Sequence, residues 1–340
     1  MKKTWRVIFI SLTLLYITSL FFFSCSSGGA VKAEEYYALG MAFYDLGKFE
    51  EAEKWLNRAS AAKRTMTASD YQRGRIAYKT GRYADAAECF ERVIAKDPNN
   101  VMALKAAAYS RIKNGDLKKA EALYNRVLAL VPESADDGFN YALVLYGLEK
   151  YESSENTLKK YPQALENNPT SLLLLARAQK AQKKVEAVDT YAKWAEANTG
   201  TANPQGLYEY ALVLESAELY ARALEQYKAA IDALDADTDD LKKSQLMFEH
   251  ARLLLTADPE NNEGIPELNA AVAEGFSDSA ALDDLLRDDR VAHENRDEIR
   301  IILNKLLTDK NNKDNEIIAN NEINTINENI EINEDIESDD

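Results

Sequence analysis

The stretch "LGMAFYDLGKFEEAEKWLNRA", Leu39 to Ala59, returns twice downstream. It comes back as "RGRIAYKTGRYADAAECFERV" (Arg73 to Val93) and as "AAYSRIKNGDLKKAEALYNRV" (Ala107 to Val127). Each step is 34 residues: Gly47, Gly81 and Gly115 keep it, and so do Ala52, Ala86 and Ala120. Phe49, Tyr83 and Leu117 follow the same step, as do Leu56, Phe90 and Tyr124, and Pro98 and Pro132 close the second and third copies. A fixed period of this length marks an array whose units bury their apolar faces against one another. Each unit reads as two helices. The glycine sits in the turn between them, where a positive φ costs glycine least. The alanine lets the two helices approach, the large residues fill the space between units, and the proline stops the second helix.

The period and these residues resemble the tetratricopeptide repeat, a helix–turn–helix unit. The resemblance implies an all-α fold, a right-handed superhelix (α-solenoid) of about six units with C-terminal capping helices. The units fall near residues 33–66, 67–100, 101–134, 135–167, 168–201 and 204–237. The later ones are looser, carried by Tyr151, Ser154 and Leu158, then Ala187 and Tyr191, then Tyr220, Ala223 and Tyr227. The fifth has Lys184 where its siblings have an aromatic or Leu, and the second has Asp70 and Arg73 at positions apolar elsewhere. Residues 238–309 read as a degenerate unit and capping helices, since a terminal unit must turn a polar face outward. Residues 310–340 are an acidic tail rich in Asn, Glu and Ile. From Asn311 onward it has ten acids against Lys313 alone, so the composition predicts disorder.

The start of the chain reads as an address. Lys2, Lys3 and Arg6 precede an apolar run from Val7 to Phe23, then Ser24 and Cys25. This is the plan of a signal peptide over residues 1–24. "LFFFSC" resembles the lipobox of bacterial lipoproteins in a relaxed form, with Phe22 and Phe23 in place of the usual residues. That resemblance implies cleavage before Cys25, a lipid (palmitate among its acyl chains) on Cys25, and a tether over residues 25–32. Ser26 carries no inner-membrane retention signal, which implies the outer membrane facing the periplasm. An uncleaved anchor and plain secretion are the alternative readings, and all three place the body outside the cytoplasm. The one other cysteine, Cys89, reads as a small buried hydrophobe.

The net charge of −16 opposes binding to nucleic acid. The two histidines, His250 and His293, belong to no metal motif, and no nucleophile elbow, Walker A or dinucleotide motif occurs. The chain therefore reads as a non-enzyme with no cofactor and no metal. What recurs instead is a row of aromatic and basic side chains on the first helix of each unit, offset from the face that packs on the second helix. The row holds Tyr37, Met41 and Tyr44, then Tyr71, Arg75, Tyr78 and Lys79, then Lys105, Tyr109 and Lys113, then Phe139 and Tyr146, and later Tyr208. By resemblance it lines the groove in which tetratricopeptide proteins hold partners. It lacks the Lys/Asn clamp of chaperone-binding members, with Tyr37 and Met41 where that clamp begins. Tyrosine and arginine suit an extended peptide or helix with acidic character. The leading expectation is an interaction scaffold or adaptor for other envelope proteins. The alternatives are a small-molecule-binding accessory lipoprotein of a periplasmic solute transporter and an envelope hydrolase.

Overall fold

A computed structural model describes residues 30–166, 168–198, 200, 203–235, 241–257 and 263–312. The expected signal peptide, Cys25 and most of the acidic tail lie outside these. Among the described residues there are seventeen helices and no strand. In chain order they are α1 (30–45), α2 (Phe49–Ala62), α3 (Thr67–Lys79), α4 (Tyr83–Lys96), α5 (Val101–Lys113), α6 (Leu117–Leu130), α7 (Ala135–Gly147), α8 (Tyr151–Lys159) and the one-turn α9 (Pro162–Leu165). Then follow α10 (Pro169–Ala181), α11 (Ala187–Ala197), α12 (Pro204–Ser216), α13 (Tyr220–Ala233), α14 (Lys243–Ala257), α15 (Gly264–Ala273), α16 (Ser279–Arg287) and α17 (293–312). The chain forms two compact units that part after Lys183, inside the fifth repeat. The architecture is an α-solenoid of helix–turn–helix repeats.

The turns show the period most plainly. Gly47, Gly81 and Gly115 have φ of 71°, 77° and 79°. The residue after each glycine donates its N–H back over the turn, from Lys48 to Phe43 O (2.9 Å), Arg82 to Ala77 O (2.8 Å) and Asp116 to Arg111 O (2.9 Å). This is the left-handed helix stop that glycine favours. The same stop continues where the sequence has no glycine. Glu149 (φ 60°), Lys183 (56°) and Glu218 (59°) hold the position in the next three repeats, with Lys150 donating to Leu145 O and Leu219 to Leu214 O at 2.9 Å. The backbone register therefore outlasts the glycine signal.

Within a repeat the helices meet through small residues. Ala52, Ala86, Ala120, Ala187 and Ala223 are buried. Ser154 replaces alanine in the fourth repeat, and its hydroxyl donates to Ala142 O at 2.7 Å, so this buried hydroxyl is met. A Cβ on Gly40 would lie 2.7 Å from Leu56, and one on Gly74 2.7 Å from Phe90. Between repeats, Leu56, Phe90, Tyr124 and Leu158 fill the core of the first unit. Helix α8 is short, with Tyr161 just beyond it. Its ring lies against Gly138, and its hydroxyl donates to Pro132 O at 2.9 Å.

Two sequence expectations change in detail. Helix α1 begins at residue 30, inside the stretch read as tether, because Ala30 to Lys32 join the helix and Ala33 is buried. Likewise α17 runs to residue 312, two residues beyond the expected start of the tail composition. Asp70, at a position apolar in the other repeats, is buried. Its carboxylate takes Lys96 at 3.0 Å and Arg92 and Arg73 at 3.5 Å, so the charge enters the core with three cations around it. Cys89 lies beside this cluster, buried and free. Burial pushes its thiol up, against the opposing pull of Arg92.

The second unit closes on its own core. Phe248 and Phe276 stack at 4.1 Å among Leu255, Leu268, Leu282, Ile299 and Leu303. Arg252 bridges Glu215 and Glu249, each at 2.8 Å, and Tyr227 donates to Glu215 at 2.9 Å.

Candidate functional site

The 34-residue step turns the row of groove residues into ladders across α1, α3, α5 and α7. Tyr37, Tyr71, Lys105 and Phe139 form one, and Met41, Arg75, Tyr109 and Leu143 the second. Tyr44, Tyr78, Ile112 and Tyr146 form the third. At the middle of these ladders a cleft of about 210 Å³ opens. Tyr71, Arg75, Tyr78 and Lys79 of α3, Ala106 and Tyr109 of α5, and Phe90 of α4 line it.

Its walls are aromatic. Tyr71 meets Phe90 edge-on at 5.2 Å, and Tyr78 meets Tyr109 at 5.6 Å and Tyr83 at 5.3 Å. Its rim is cationic. The Arg75 guanidinium stands 5.0 Å from the Tyr44 ring centre. The Lys79 ammonium is 5.2 Å from the same ring and 5.8 Å from that of Phe49, and Lys113 stands 5.8 Å from the Tyr109 ring. Such contacts hold a cation with its charge outward, each worth roughly 0.5–1 kcal/mol where exposed. Arg75 accepts its geometry from Gln72, to which it donates at 2.9 Å. Among the described residues no carboxylate pairs with Arg75, Lys79 or Lys113. Tyr44 is buried under this rim and its hydroxyl has no hydrogen-bond partner there. Burial, the hydrogen bond with Tyr109 and the nearby Tyr109 and Tyr83 hydroxyls push the Tyr78 hydroxyl up to about 12. It is a neutral donor and acceptor at physiological pH.

Not every sequence candidate reaches the cleft. Lys105 turns to Asp137 of α7 at 2.9 Å, a carboxylate only 1 % exposed, so its charge is spent between repeats. Tyr37 packs with Met41, Phe43 and Phe49 on the core around Leu56. Phe139 and Tyr146 pack on a separate cluster of Ala142, Leu158, Leu174 and Leu175. Tyr208 belongs to the second unit, 6.0 Å from Tyr227, its hydroxyl pushed up by burial. The sequence reading missed Phe90 and Ala106. Phe90 comes from the second helix and reaches the cleft over Gly74, whose missing side chain leaves room for the ring. Pairing Gly74 with the large residue 16 positions on was the available signal. Among the described residues no cluster of His, Cys, Asp and Glu could hold a metal, and no helix is long and apolar enough to cross a membrane.

Models of the tetratricopeptide repeat match residues 33–65 and 71–135, the segments that build this cleft. These two segments are tetratricopeptide repeats. A further family model, described as anaphase-promoting complex, cyclosome, subunit 3, matches residues 113–195 of the tetratricopeptide array. An uncharacterized lipoprotein of Treponema pallidum (strain Nichols) is 24 % identical over 146 residues, which are 43 % of this chain and 74 % of that protein. A tetratricopeptide repeat protein from Parabacteroides merdae superposes with a TM-score of 0.51 at 18 % identity, over 75 % of this chain and 98 % of that one. YrrB, described as a tetratricopeptide protein with an unusual peptide-binding site, gives 0.46 at 16 % identity over 52 % of this chain and 91 % of its own. The likeness to the Parabacteroides merdae protein is one of fold.

Proposed function

We propose that this chain is a non-enzymatic docking scaffold, anchored through a lipid on Cys25 at the periplasmic face of a bacterial outer membrane. Its cleft between α3 and α5 takes a segment of a partner envelope protein that places an apolar side chain beside an acidic one. The observation that carries this reading is the combination at the cleft. An apolar floor of Phe90 and Ala106 lies under rings of Tyr71, Tyr78 and Tyr109, with Arg75 and Lys79 unpaired by any described carboxylate at the rim. Aromatic and arginine side chains around a small apolar pocket are the composition of binding hot spots. The Cys25 address is supported by the lipobox-like "LFFFSC" and by the relative in Treponema pallidum that carries the name lipoprotein.

Envelopes solubilised in detergent and passed over the immobilised chain test the binding half. A reproducible partner is expected, lost when Arg75→Glu and Lys79→Glu are combined. Equal capture by wild type and the double variant would overturn the cleft as the site. Acyl labelling and membrane fractionation of Cys25→Ala test the address: the label is lost and the protein leaves the membrane fraction. Unchanged labelling would overturn the lipid anchor while leaving the cleft untouched.

A further inference from the structure

The lining of the cleft between α3 and α5 recurs one repeat on. The 34-residue step carries its six residues from those helices onto Lys105, Tyr109, Ile112 and Lys113 of α5 and Asn140 and Leu143 of α7. Tyr109 belongs to both sets. The second set is the more aliphatic, with Ile112 in the register of Tyr78 and Leu143 in that of Tyr109. Tyr109 is 43 % exposed and Leu143 41 %. Ala142, Val144 and Leu145, the chain neighbours of Leu143, are all buried, so α7 makes its core contacts without it. A lone exposed leucine means little, but one continuous with an aromatic cleft extends the contact surface. Lys105 brings no free charge here, because Asp137 holds it at 2.9 Å.

Spacing restricts what can cross both places. Helices α3 and α5 touch through Tyr78 and Tyr109, ring centres 5.6 Å apart, and α5 and α7 through Lys105 and Asp137. Helices in side-chain contact lie about 8–10 Å apart. Three residues of extended chain cover about 9–10 Å, and seven residues of a helix about 10.5 Å. Asn140 decides between the two. It is half-buried, its side-chain amide bonds to no described residue, and neither polar atom of that amide is closed off from solvent. An amide offers a donor and an acceptor together, the complement of a peptide group. Extended chain has main-chain groups free to meet it, whereas the interior of a helix has bonded its own. The free cations, Arg75 and Lys79, stand on α3, at the other end of this surface from Leu143.

We propose that the face between α5 and α7 is a second subsite for the same partner, which crosses α3, α5 and α7 as an extended segment. That segment carries two apolar residues three positions apart and an acid beside the first. The first apolar residue fills the cleft, the second lies on Tyr109 and Leu143, the acid meets Arg75 and Lys79, and Asn140 holds the main chain between. The inference rests on the cleft between α3 and α5 being the docking site.

A phage-displayed library of random twelve-residue peptides, selected on the immobilised chain, tests this. Three forms are used: wild type, Leu143→Asp, and Arg75→Glu with Lys79→Glu. Wild type is expected to enrich an acid followed or preceded by two apolar residues three apart. Leu143→Asp should keep the acid and one apolar residue and lose the second, and the double variant should lose the acid. The best wild-type peptide, titrated by fluorescence anisotropy, should bind Leu143→Asp and Asn140→Ala each about tenfold more weakly. Thermal denaturation shows that both variants stay folded, and Asn140→Ala adds no buried charge. A motif with one apolar residue, unchanged on Leu143→Asp, would overturn the second subsite and leave the cleft standing. Apolar residues seven apart would assign a helix and overturn the extended segment. A motif indifferent to Arg75 and Lys79, or no enriched motif on wild type, would overturn the cleft and this inference together.

Discussion

Arg82, Lys96, Lys105, Arg111 and Lys150 each end on a carboxylate of a neighbouring helix, whereas Arg75 and Lys79 lie over the Tyr44 ring with no such partner. The difference is local. The first group ties neighbouring helices together, and the second leaves its charge free of any described carboxylate, as the proposed site requires. Reversing both, Arg75→Glu with Lys79→Glu, is expected to weaken partner binding by about 10–100-fold, chiefly through faster dissociation, with the melting temperature nearly unchanged. Surface plasmon resonance and thermal denaturation read the two effects separately. Asp70 is the opposite case, a buried carboxylate with three cations around it. Asp70→Ala leaves those cations facing one another. Because Arg92 and Lys96 are about two-fifths exposed, water screens part of the loss, and a cost of about 1–2 kcal/mol is expected in denaturant unfolding. Tyr78 gives a pH signature. Its folded pKa, pushed up to about 12, lies above the ordinary value of 10.0, so its contribution is intact below pH 10 and fades as pH rises towards 12. Unfolding measured across that window should lose less stability in Tyr78→Phe than in wild type.

The elements show how far a sequence signal reaches. Three copies in strict 34-residue register made the first repeats legible, because glycine, alanine and the large residues all moved together. The later turns were not, since Glu149, Lys183 and Glu218 hold a left-handed backbone without glycine. A non-glycine residue there costs roughly 1–2 kcal/mol, part of which returns as lower entropy in the unfolded chain. Glu149→Gly and Glu218→Gly are each expected to stabilise by about 0.5–1 kcal/mol, read as a rise in denaturant midpoint at constant slope; a fall would show that packing, not backbone strain, sets these turns. The cleft was legible only in part. The row of Tyr71, Arg75, Tyr78, Lys79 and Tyr109 follows from helical spacing on two adjacent elements. The turn of Lys105 to Asp137 depends on a third helix, and the arrival of Phe90 over Gly74 on a second one. Pairings between elements are what a single helical period does not encode. Burial separates helix core from turn: Ile76 of α3 is fully buried, while Leu46, in the turn after α1, is 70 % exposed. Ile76→Ala should cost about 2–4 kcal/mol, and Leu46→Ala no more than about 0.5 kcal/mol.

At the scale of the whole molecule, the functional reading joins an address, a cleft and a charge. A chain of net charge −16 that carries a cationic rim concentrates its attraction for acidic segments at one place, and screening weakens that attraction as salt rises. A tethered scaffold also raises the effective concentration of its partner at the membrane. The central claim is that the cleft between α3 and α5 holds another protein in the cell. Its most direct measurement is photo-crosslinking from position 109, with Tyr109 replaced by a photoreactive phenylalanine analogue, in intact cells making the full chain. A discrete adduct with another envelope protein is expected, absent when Arg75→Glu and Lys79→Glu are introduced. Adducts with the chain alone, or an adduct indifferent to those two charges, would contradict the account.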